Sequence, residues 1–446
     1  MTGYRLVRGV AALLLWLFYR RIDVSHAERI PRQGPLVIAA NHHNALVDPM
    51  LIITSVPRRI VPLAKAPLFR HPLIAPFLKL IGAVPVHRRV DGADPRQNAA
   101  MFAAAVDALR VGDTLLIFPE GVSQPRPTLM PLRTGAARIV LSAAAEGVGV
   151  ALVPVGLVFD DPGTFRTATA LLSVGPPVAV PDLVEQYASA PDSAVRSLTE
   201  RLADAIRAQI VEAEDHHTLE LLGTLERAWR HERGEPARAE PALSLAWRRE
   251  VMRAARALGE RDPVRVAVFR RHLERYAERL RESGLSDGQL GQRYTVRMVT
   301  RYTLANAFNL SVMLPLAVLG MAAHAVPYAL TDLVARALVD TAEEEATDKM
   351  AAGLVLYPLC WIVEGWLLWR GVGAAWLAAF LVLLVPSGLV ALAWRERLAR
   401  VGRQARAFAR FLVDRRAGHD LLAERRALVE EAEALGALSA RPRTSA

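Results

Sequence analysis

The sequence is poor in cysteine: the single one among its 446 residues is Cys360, within an apolar stretch. One cysteine cannot form an intramolecular disulfide, and no zinc-type Cys/His spacing is present, so disulfide scaffolds and cysteine-based metal sites are excluded. The chain also lacks a basic motif interleaved with aromatic residues. Its formal net charge of +10 therefore favours an anionic membrane surface over nucleic acid as the partner.

Apolar residues, by contrast, are abundant. They make up 52% of the chain, and the mean hydropathy of +0.20 is high for a soluble protein. The length of the chain allows two or three domains. We therefore expect one part of the chain to lie in lipid and another part to fold as a domain outside it.

The first predicted segment, residues 1–22, is an interfacial helix. Its apolar part, residues 10–19, is shorter than a bilayer-spanning helix needs to be. Arginines flank this part on both sides, and Trp16 and Tyr19 are residue types that prefer the headgroup level. A signal peptide is disfavoured because no small-residue cleavage site follows. The alternative is a helix that is buried in a soluble domain.

Residues 23–185 are predicted to form an α/β domain, a mixed sheet flanked by helices, because short apolar runs alternate there with helical stretches. The strand candidates are Leu36–Ala39, Arg59–Leu63, Ala83–His87, Thr114–Phe118, Val150–Leu157 and Ala170–Val174. The helical candidates are Met50–Val56, Pro72–Ile81, Gln97–Val111 and Gly135–Ala145. Ligand sites of α/β domains usually lie at the carboxyl ends of the strands.

Residues 186–302 change to a charged composition rich in Ala, Arg, Glu and Leu, with no strand signal. We expect a charged helical region there, without chemistry of its own. It is followed by a predicted membrane region, residues 303–395, in which 350–369 and 373–394 are each long enough to span a bilayer. A buried hairpin of a soluble protein is the alternative for these two helices.

The stretch 303–339 is also apolar, but Pro315 and Pro327 interrupt it. Its two short halves predict a re-entrant or interfacial hairpin rather than a span. The last segment, residues 396–446, is a basic helical tail that begins with closely spaced arginines. The positive-inside rule places this tail in the cytoplasm, and we expect the α/β domain on the same side of the cell membrane.

Two histidines and an aspartate directly follow the first strand candidate: His42, His43 and Asp48. A histidine at a strand end, with a carboxylate five or six positions on, can act as a general base that is oriented by the carboxylate. Such a base would activate an alcohol for attack on a thioester, and no serine or cysteine nucleophile is then required. The spacing leaves open which of the two histidines is the base.

Further polar motifs follow later strand candidates. Arg88 and Arg89 end an extended segment, and an arginine pair suits bidentate binding of phosphate. Glu120 and Gly121 follow the strand candidate at 114–118, where an α/β ligand site is expected. Taken alone, each motif is weak evidence, because solvated arginines at strand ends are common.

Taken together, these motifs resemble the glycerolipid acyltransferases, the superfamily of bacterial lysophosphatidic acid and glycerol-3-phosphate acyltransferases. The resemblance covers residues 35–180 in four ordered blocks. Asn41-His42 matches the family's Asn-His pair, whereas His43 has the family's four residues before Asp48. A variant form, His-x-Asn-x-x-x-Asp-Pro, would select His42, with Asn44 and Pro49 in register. The choice of the base therefore remains open at this point.

The resemblance implies which residues hold the acceptor. Residues implied to bind its glycerol and phosphate are Asn44, Arg88, Arg89, Glu120 and Gly121. The third block departs from the usual Phe-Pro-Glu-Gly-Thr-Arg-Ser after its glycine, which adds Ser123, Arg126 and Arg133 as candidates. No metal and no other cofactor is implied, since acyl-CoA or acyl-carrier protein serves as the co-substrate. Membrane lipids are the expected partners, and nucleic acid is not.

The predicted function is acyl transfer from acyl-CoA or acyl-carrier protein to glycerol 3-phosphate or lysophosphatidic acid in phospholipid biosynthesis. The acceptor, the donor, the acyl length and the oligomeric state stay open. One alternative is a lysolipid-remodelling or lipid-binding membrane protein without this acceptor specificity. Another is a thioester hydrolase, which is disfavoured because a phosphate-binding arginine would have no use in it.

Overall fold

The computed structural model describes residues 2–70, 74–87, 95–124, 126–160, 169–236, 240–285, 287–290, 296–338, 345–413 and 415–439. The chain divides into two compact units. The N-terminal unit comprises Met1–His216, Glu240–Arg249 and Asp340–Thr347. The C-terminal unit comprises His217–Ala239, Glu250–Val339 and Asp348–Ala446.

A sheet forms the centre of the N-terminal unit. Its strands are β1 (Arg21–Ser25), β2 (Leu36–Ala40), β3 (Ile60–Lys65), β4 (Val84–Val86), β5 (Thr114–Ile117), β6 (Ala151–Asp160) and β7 (Thr169–Val174). Their order across the sheet is β1-β7-β6-β2-β5-β3-β4, and only β6 and β7 pair antiparallel among these neighbours. Helices flank the sheet, so the predicted α/β fold with a mixed sheet is confirmed.

The helices of this unit connect the strands and cover the sheet. They are α1 (Thr2–Phe18), α2 (Val47–Ser55), α3 (Ala75–Ile81), α4 (Pro95–Arg110), α5 (Gly135–Ala145), α6 (Pro181–Ser189) and α7 (Pro191–Arg207). The central strands β2 and β5 are buried along their whole length, because parallel strands under helices are apolar on both faces. This is why short continuous apolar runs marked them in the sequence.

The unit extends further along the chain than the predicted boundary at residue 185. Helix α7 buries Ala194, Val195, Leu198, Leu202 and Ile206, which recur at the three- and four-residue spacing of one helix face, in the core of the domain. The sequence analysis assigned this helix to the charged region because its other face is polar. The helix is therefore part of the α/β domain.

Helix α1 packs on α2 and α3 through one stripe, with Val7, Ala11, Leu15 and Phe18 buried. Apolar side chains on its other face are exposed, among them Leu6, Leu13 and Trp16. The helix is thus attached to the α/β domain and still presents an apolar surface outward. Its location at a membrane interface stays a prediction.

The C-terminal unit is helical in its described residues. The helices after α7 are α8 (His216–Glu232), α9 (Pro241–Gly259), α10 (Pro263–Ser283), α11 (Val296–Leu338), α12 (Glu345–Val372), α13 (Ala374–Val413) and α14 (Arg415–Ser439). Helices α8, α10 and α14 form a polar helical cluster. At its centre, Tyr276 is fully buried and its hydroxyl donates to Asp287, while Arg425 binds Glu232.

Within the described part of the chain, three helices are long and apolar enough to cross a membrane, over Arg297–Val334, Ala352–Val372 and Ala374–Gly402. The expectation of two short halves in 303–339 is wrong, because α11 runs through both Pro315 and Pro327 without ending. A proline removes one backbone hydrogen bond and kinks a helix, but helices in membranes tolerate it when their surroundings compensate. Breaker rules taken from soluble proteins misled the sequence analysis here.

Candidate active site

The carboxyl ends of four parallel strands meet at one edge of the sheet. Strands β2, β5, β3 and β4 lie side by side and run in the same direction. The chain leaves β2 into the loop 41–46 and leaves β5 into the loop 118–124, so the first and third sequence motifs become neighbours. This edge is where α/β domains usually bind ligands.

Asp48, in the first turn of α2, is completely buried and accepts three hydrogen bonds with one oxygen. Its Oδ2 accepts from the ring Nδ1 of His42 at 2.9 Å and from the backbone N–H groups of His43 at 2.6 Å and Asn44 at 2.8 Å. The other oxygen, Oδ1, is buried without a hydrogen-bond partner among the described residues. Uncompensated buried polar atoms are uncommon and often mark functional sites.

The hydrogen bond to Asp48 determines the tautomer of the neutral His42 ring. A carboxylate only accepts, so Nδ1 carries the proton and Nε2 keeps its lone pair. The His42 ring also stacks on Phe118 with centroids 4.0 Å apart, which fixes its orientation. No described residue binds Nε2, so this nitrogen can accept a proton.

His43 uses both of its ring nitrogens. Its Nδ1 donates to the backbone carbonyl of Gln124 at 3.1 Å, and its Nε2 accepts from the side-chain amide of Asn41 at 2.9 Å. Asn41 in turn bonds both backbone groups of Leu157 in β6. Burial lowers the pKa of His43, which keeps the ring neutral. His43 therefore links β6 to the loop after β5.

Glu120 connects the loop after β5, in which it lies, to the loop after β2. It is buried, its Oε1 accepts from the backbone N–H of His42 at 2.7 Å, and its Oε2 accepts from that of Met130 at 3.0 Å. Burial raises the pKa of Glu120, while these two hydrogen bonds oppose the shift. Both oxygens are thus engaged by the protein, although the family resemblance implied that this residue binds the acceptor.

Gly121 and Arg133 lie beside this carboxylate. Gly121 has a positive φ of 75°, a conformation that favours glycine. It lies in a turn in which its backbone N–H donates to the carbonyl of Phe118. A β-carbon at Gly121 would lie 3.4 Å from Nε of Arg133. Arg133 is exposed and has no ion-pair partner among the described residues, so its guanidinium is available to an anion.

The other candidates divide into three groups. Asn44 caps the start of α2, because its Oδ1 accepts from the backbone N–H groups of Leu46 and Val47. Ser123 is partly buried, and Arg126 is exposed, in the loop region after β5. Arg88 and Arg89 lie outside the described residues, so their part in the site stays a prediction.

The sequence analysis missed Lys65, the last residue of β3. Strand β3 lies between β5 and β4, so Lys65 is a further cation at the edge that carries the histidines. The signal was present: Lys65 ends an apolar strand, and His42 lies two residues beyond the end of another, β2. Tyr19 and Phe159 were missed as well. The Phe159 ring meets His43 edge-on at 5.6 Å, and burial, with a smaller effect of the Asp48 charge, raises the pKa of Tyr19.

Comparison with known proteins identifies the class of this region. Residues 21–158 match the family model described as Acyltransferase, and this region is an acyltransferase domain. It contains the dyad of His42 and Asp48, the Asn41–His43 link and Glu120. The domain assigned from the resemblance in the sequence is thereby confirmed.

Several relatives are named for glycerolipid acyl transfer. The chain is 27% identical to glycerol-3-phosphate O-acyltransferase 2 of Saccharomyces cerevisiae, over 46% of this chain and 27% of that protein. It is 30% identical to a 1-acyl-sn-glycerol-3-phosphate acyltransferase of Borreliella burgdorferi, over 35% of this chain and 58% of that protein. An uncharacterized acyltransferase of Schizosaccharomyces pombe is 24% identical, over 50% of this chain and 46% of that protein.

The chain therefore spans less than two thirds of the length of these relatives. A crystal structure of the 1-acyl-sn-glycerophosphate acyltransferase PlsC from Thermotoga maritima is also similar, with a TM-score of 0.35 and 19% identity. That similarity covers 46% of this chain and 78% of the other.

A first prediction concerns Glu120. In Glu120→Gln an NH₂ group replaces one acceptor oxygen and faces a backbone N–H. A buried donor is then left unpaired, which lowers the free energy of unfolding by about 1–3 kcal/mol. We expect a lower unfolding temperature and a lower kcat, with little change in the acceptor KM. Thermal unfolding and steady-state kinetics of the purified protein measure both, with the exposed Glu146→Gln as the matched control. A raised acceptor KM at an unchanged unfolding temperature would instead indicate direct contact with the acceptor.

Proposed function

We propose that this protein is a membrane-bound O-acyltransferase that acylates a hydroxyl of glycerol 3-phosphate or lysophosphatidic acid. The observation that carries the proposal is the hydrogen bond of 2.9 Å between Nδ1 of His42 and the buried Asp48. It orients the ring so that, in its neutral form, the lone pair of Nε2 can accept a proton at the edge of the sheet. The names of the relatives support the glycerolipid acceptor.

The reaction requires one proton to be moved and one acyl group to be transferred. In the proposed mechanism, Nε2 of His42 removes the proton of the acceptor hydroxyl as its oxygen attacks the thioester carbonyl carbon. The C–S bond then breaks, and the proton passes from His42 to the leaving thiolate of coenzyme A or of acyl-carrier protein. Asp48 stabilises the imidazolium that forms between these steps.

Cations at the same edge would bind the phosphate of the acceptor. Arg126, Arg133 and Lys65 are the described candidates, and Arg88 and Arg89 are added by the sequence motif. Guanidinium groups suit phosphate because they donate two parallel hydrogen bonds. Deprotonation of an alcohol alone would not require these cations, whereas an acceptor that carries a phosphate would.

We further propose that His42 is the base and that His43 positions the loops. Both nitrogens of His43 are used within the protein, whereas Nε2 of His42 is not. We also propose a cell-membrane location with the acyltransferase domain on the cytoplasmic side. The apolar helices and the arginines that follow residue 394 support this arrangement.

A second prediction separates the two histidines. His42→Ala removes the base, and general acid–base catalysis typically contributes about 10²–10⁴-fold. We expect acyl transfer to fall by that factor, whereas His43→Ala should retain a measurable fraction of activity and lose stability. Transfer of radiolabelled acyl groups to each acceptor, with unfolding temperatures as the control, measures this. A larger loss of turnover in His43→Ala, at unchanged stability, would reverse the assignment.

A third prediction concerns Arg133. Removing its guanidinium in Arg133→Ala should raise the acceptor KM by roughly 10- to 100-fold, because a hydrogen bond to a charged group contributes about 1.5–3 kcal/mol. The kcat at saturating acceptor should change far less. The matched control is Arg138→Ala on α5, an exposed arginine that pairs with Asp192 instead. Equal KM values for both variants would show that Arg133 does not bind the acceptor.

A further inference from the structure

We propose that α12 does not cross the membrane but lies along its interface, and that α11 and α13 alone form the crossing pair. This proposal goes beyond the acyltransferase activity and does not depend on it. Its partner is the headgroup region of a bilayer, on the side opposite to the polar cluster of α8, α10 and α14. Two features of the helices support it: a parity constraint on the number of crossings, and the contacts of the three apolar helices.

The parity constraint comes from α14, which follows the apolar helices, and from α10, which precedes them. Arg279 of α10 binds Glu424 of α14 at 2.6 Å, and His272 binds Glu431 at 2.9 Å. Leu421 and Leu428 of α14 are buried. A bilayer core about 30 Å thick cannot separate helices in such contact. The chain must therefore cross an even number of times between α10 and α14, although three candidate spans lie between them.

Helices α11 and α13 pack side by side and antiparallel. Arg397 binds Asn306 at 3.0 Å, Trp394 donates to the carbonyl of Leu310 at 2.9 Å, and a β-carbon on Gly320 would collide with the carbonyl of Ser387. As the residue number rises along α11, the number of its partner in α13 falls. From 306 to 320 the pair covers ~21 Å at 1.5 Å per residue, most of a bilayer core. Small residues at the contact allow this close approach.

The described contacts of α12 lie toward one end of this pair, where the rings of Tyr357 and Trp361 also meet His324 of α11. A β-carbon on Gly353 would lie 3.8 Å from Thr331, near the end of α11. Twelve residues further along α12, a β-carbon on Gly365 would lie 3.1 Å from Leu377, near the start of α13. The register of the pair places Thr331 and Leu377 at about the same level. Twelve residues of helix, ~18 Å, therefore run across the pair rather than along it.

The composition of α12 suits an interface. Trp366 and Trp369 are exposed, and tryptophan prefers the headgroup level of a bilayer. The helix also carries Glu364 and Arg370 within its apolar stretch. Glu364 would lie near the bilayer midplane if residues 352–372 crossed, where a charged group is costly. In the interface, both charged groups remain within reach of water and lipid headgroups.

The test uses the single cysteine of the chain. In a Cys360→Ala background, new cysteines are placed on α10 (Ala267→Cys), at the start of α12 (Lys349→Cys), at its end (Gly371→Cys) and on α14 (Ala434→Cys). Sealed membrane vesicles are treated with a membrane-impermeant maleimide, and permeabilised vesicles give the full signal. The Cys360→Ala parent gives the background.

We expect the cysteines at 267 and 434 to be labelled from one side and those at 349 and 371 from the other. Labelling of 267 and 434 from opposite sides would establish three crossings and overturn the proposal. So would labelling of 349 and 371 from opposite sides, or of all four from one side. None of these results depends on acyl transfer, so a failure here leaves the proposed enzyme activity untouched.

A second measurement tests the depth of α12 directly. Nitroxide labels on Val355, Ile362 and Trp369, replaced by cysteine in the same background, report depth through their accessibility to oxygen and to a polar nickel complex. An interfacial helix gives three similar depths. A crossing helix gives a deep label at 362 and shallow labels at 355 and 369, and that pattern would refute the proposal.

Discussion

One oxygen of Asp48 organises the loop that carries the chemistry. It receives the ring N–H of His42 and two successive backbone N–H groups, and it lies in the first turn of α2 without exposure to solvent. A carboxylate near a helix N-terminus is electrostatically favoured, and bonds to a charged acceptor are the strong ones. The position of the imidazole therefore follows from the position of a carboxylate that the helix holds in place.

The rest of the site keeps this loop in register with its neighbours. Glu120 binds the backbone of His42, and the His43–Asn41 link joins the loop after β5 to Leu157 of β6. Buried polar networks stabilise one arrangement when every member is satisfied, because an unpaired polar group in a low-dielectric interior is costly. The structural use of Glu120 and His43 is thus a condition for the catalytic use of His42.

The sequence predicted most of the sheet because its central strands are continuous apolar runs. It missed β1, where apolar and polar residues alternate and where Arg20 and Arg21 suggested a membrane flank. It also ended the domain before α7, whose buried face is visible only as a helical period within a charged segment. Proline interruptions in 303–339 suggested a hairpin, whereas α11 is continuous. The local sequence shows the prolines, but it does not show the packing of neighbouring helices that lets α11 continue through them.

At the site, the sequence identified the right loop but not the partner of Asp48. His42 and His43 are adjacent, so sequence spacing alone cannot say which ring reaches the carboxylate. The path of the chain after β2 decides this, because it directs His42 toward α2 and His43 toward Gln124. The roles of Glu120 and Asn44 could not be predicted for a similar reason. Their partners are backbone N–H groups, and a sequence motif specifies side chains only.

The central claim is that His42 and Asp48 act as one unit. A double-mutant cycle on kcat with His42→Ala, Asp48→Asn and the combined variant tests it most directly, since groups that act as a unit are strongly non-additive. The account predicts that the double variant is no slower than His42→Ala alone. Losses that multiply would show that Asp48 contributes independently of the imidazole, and would contradict the account.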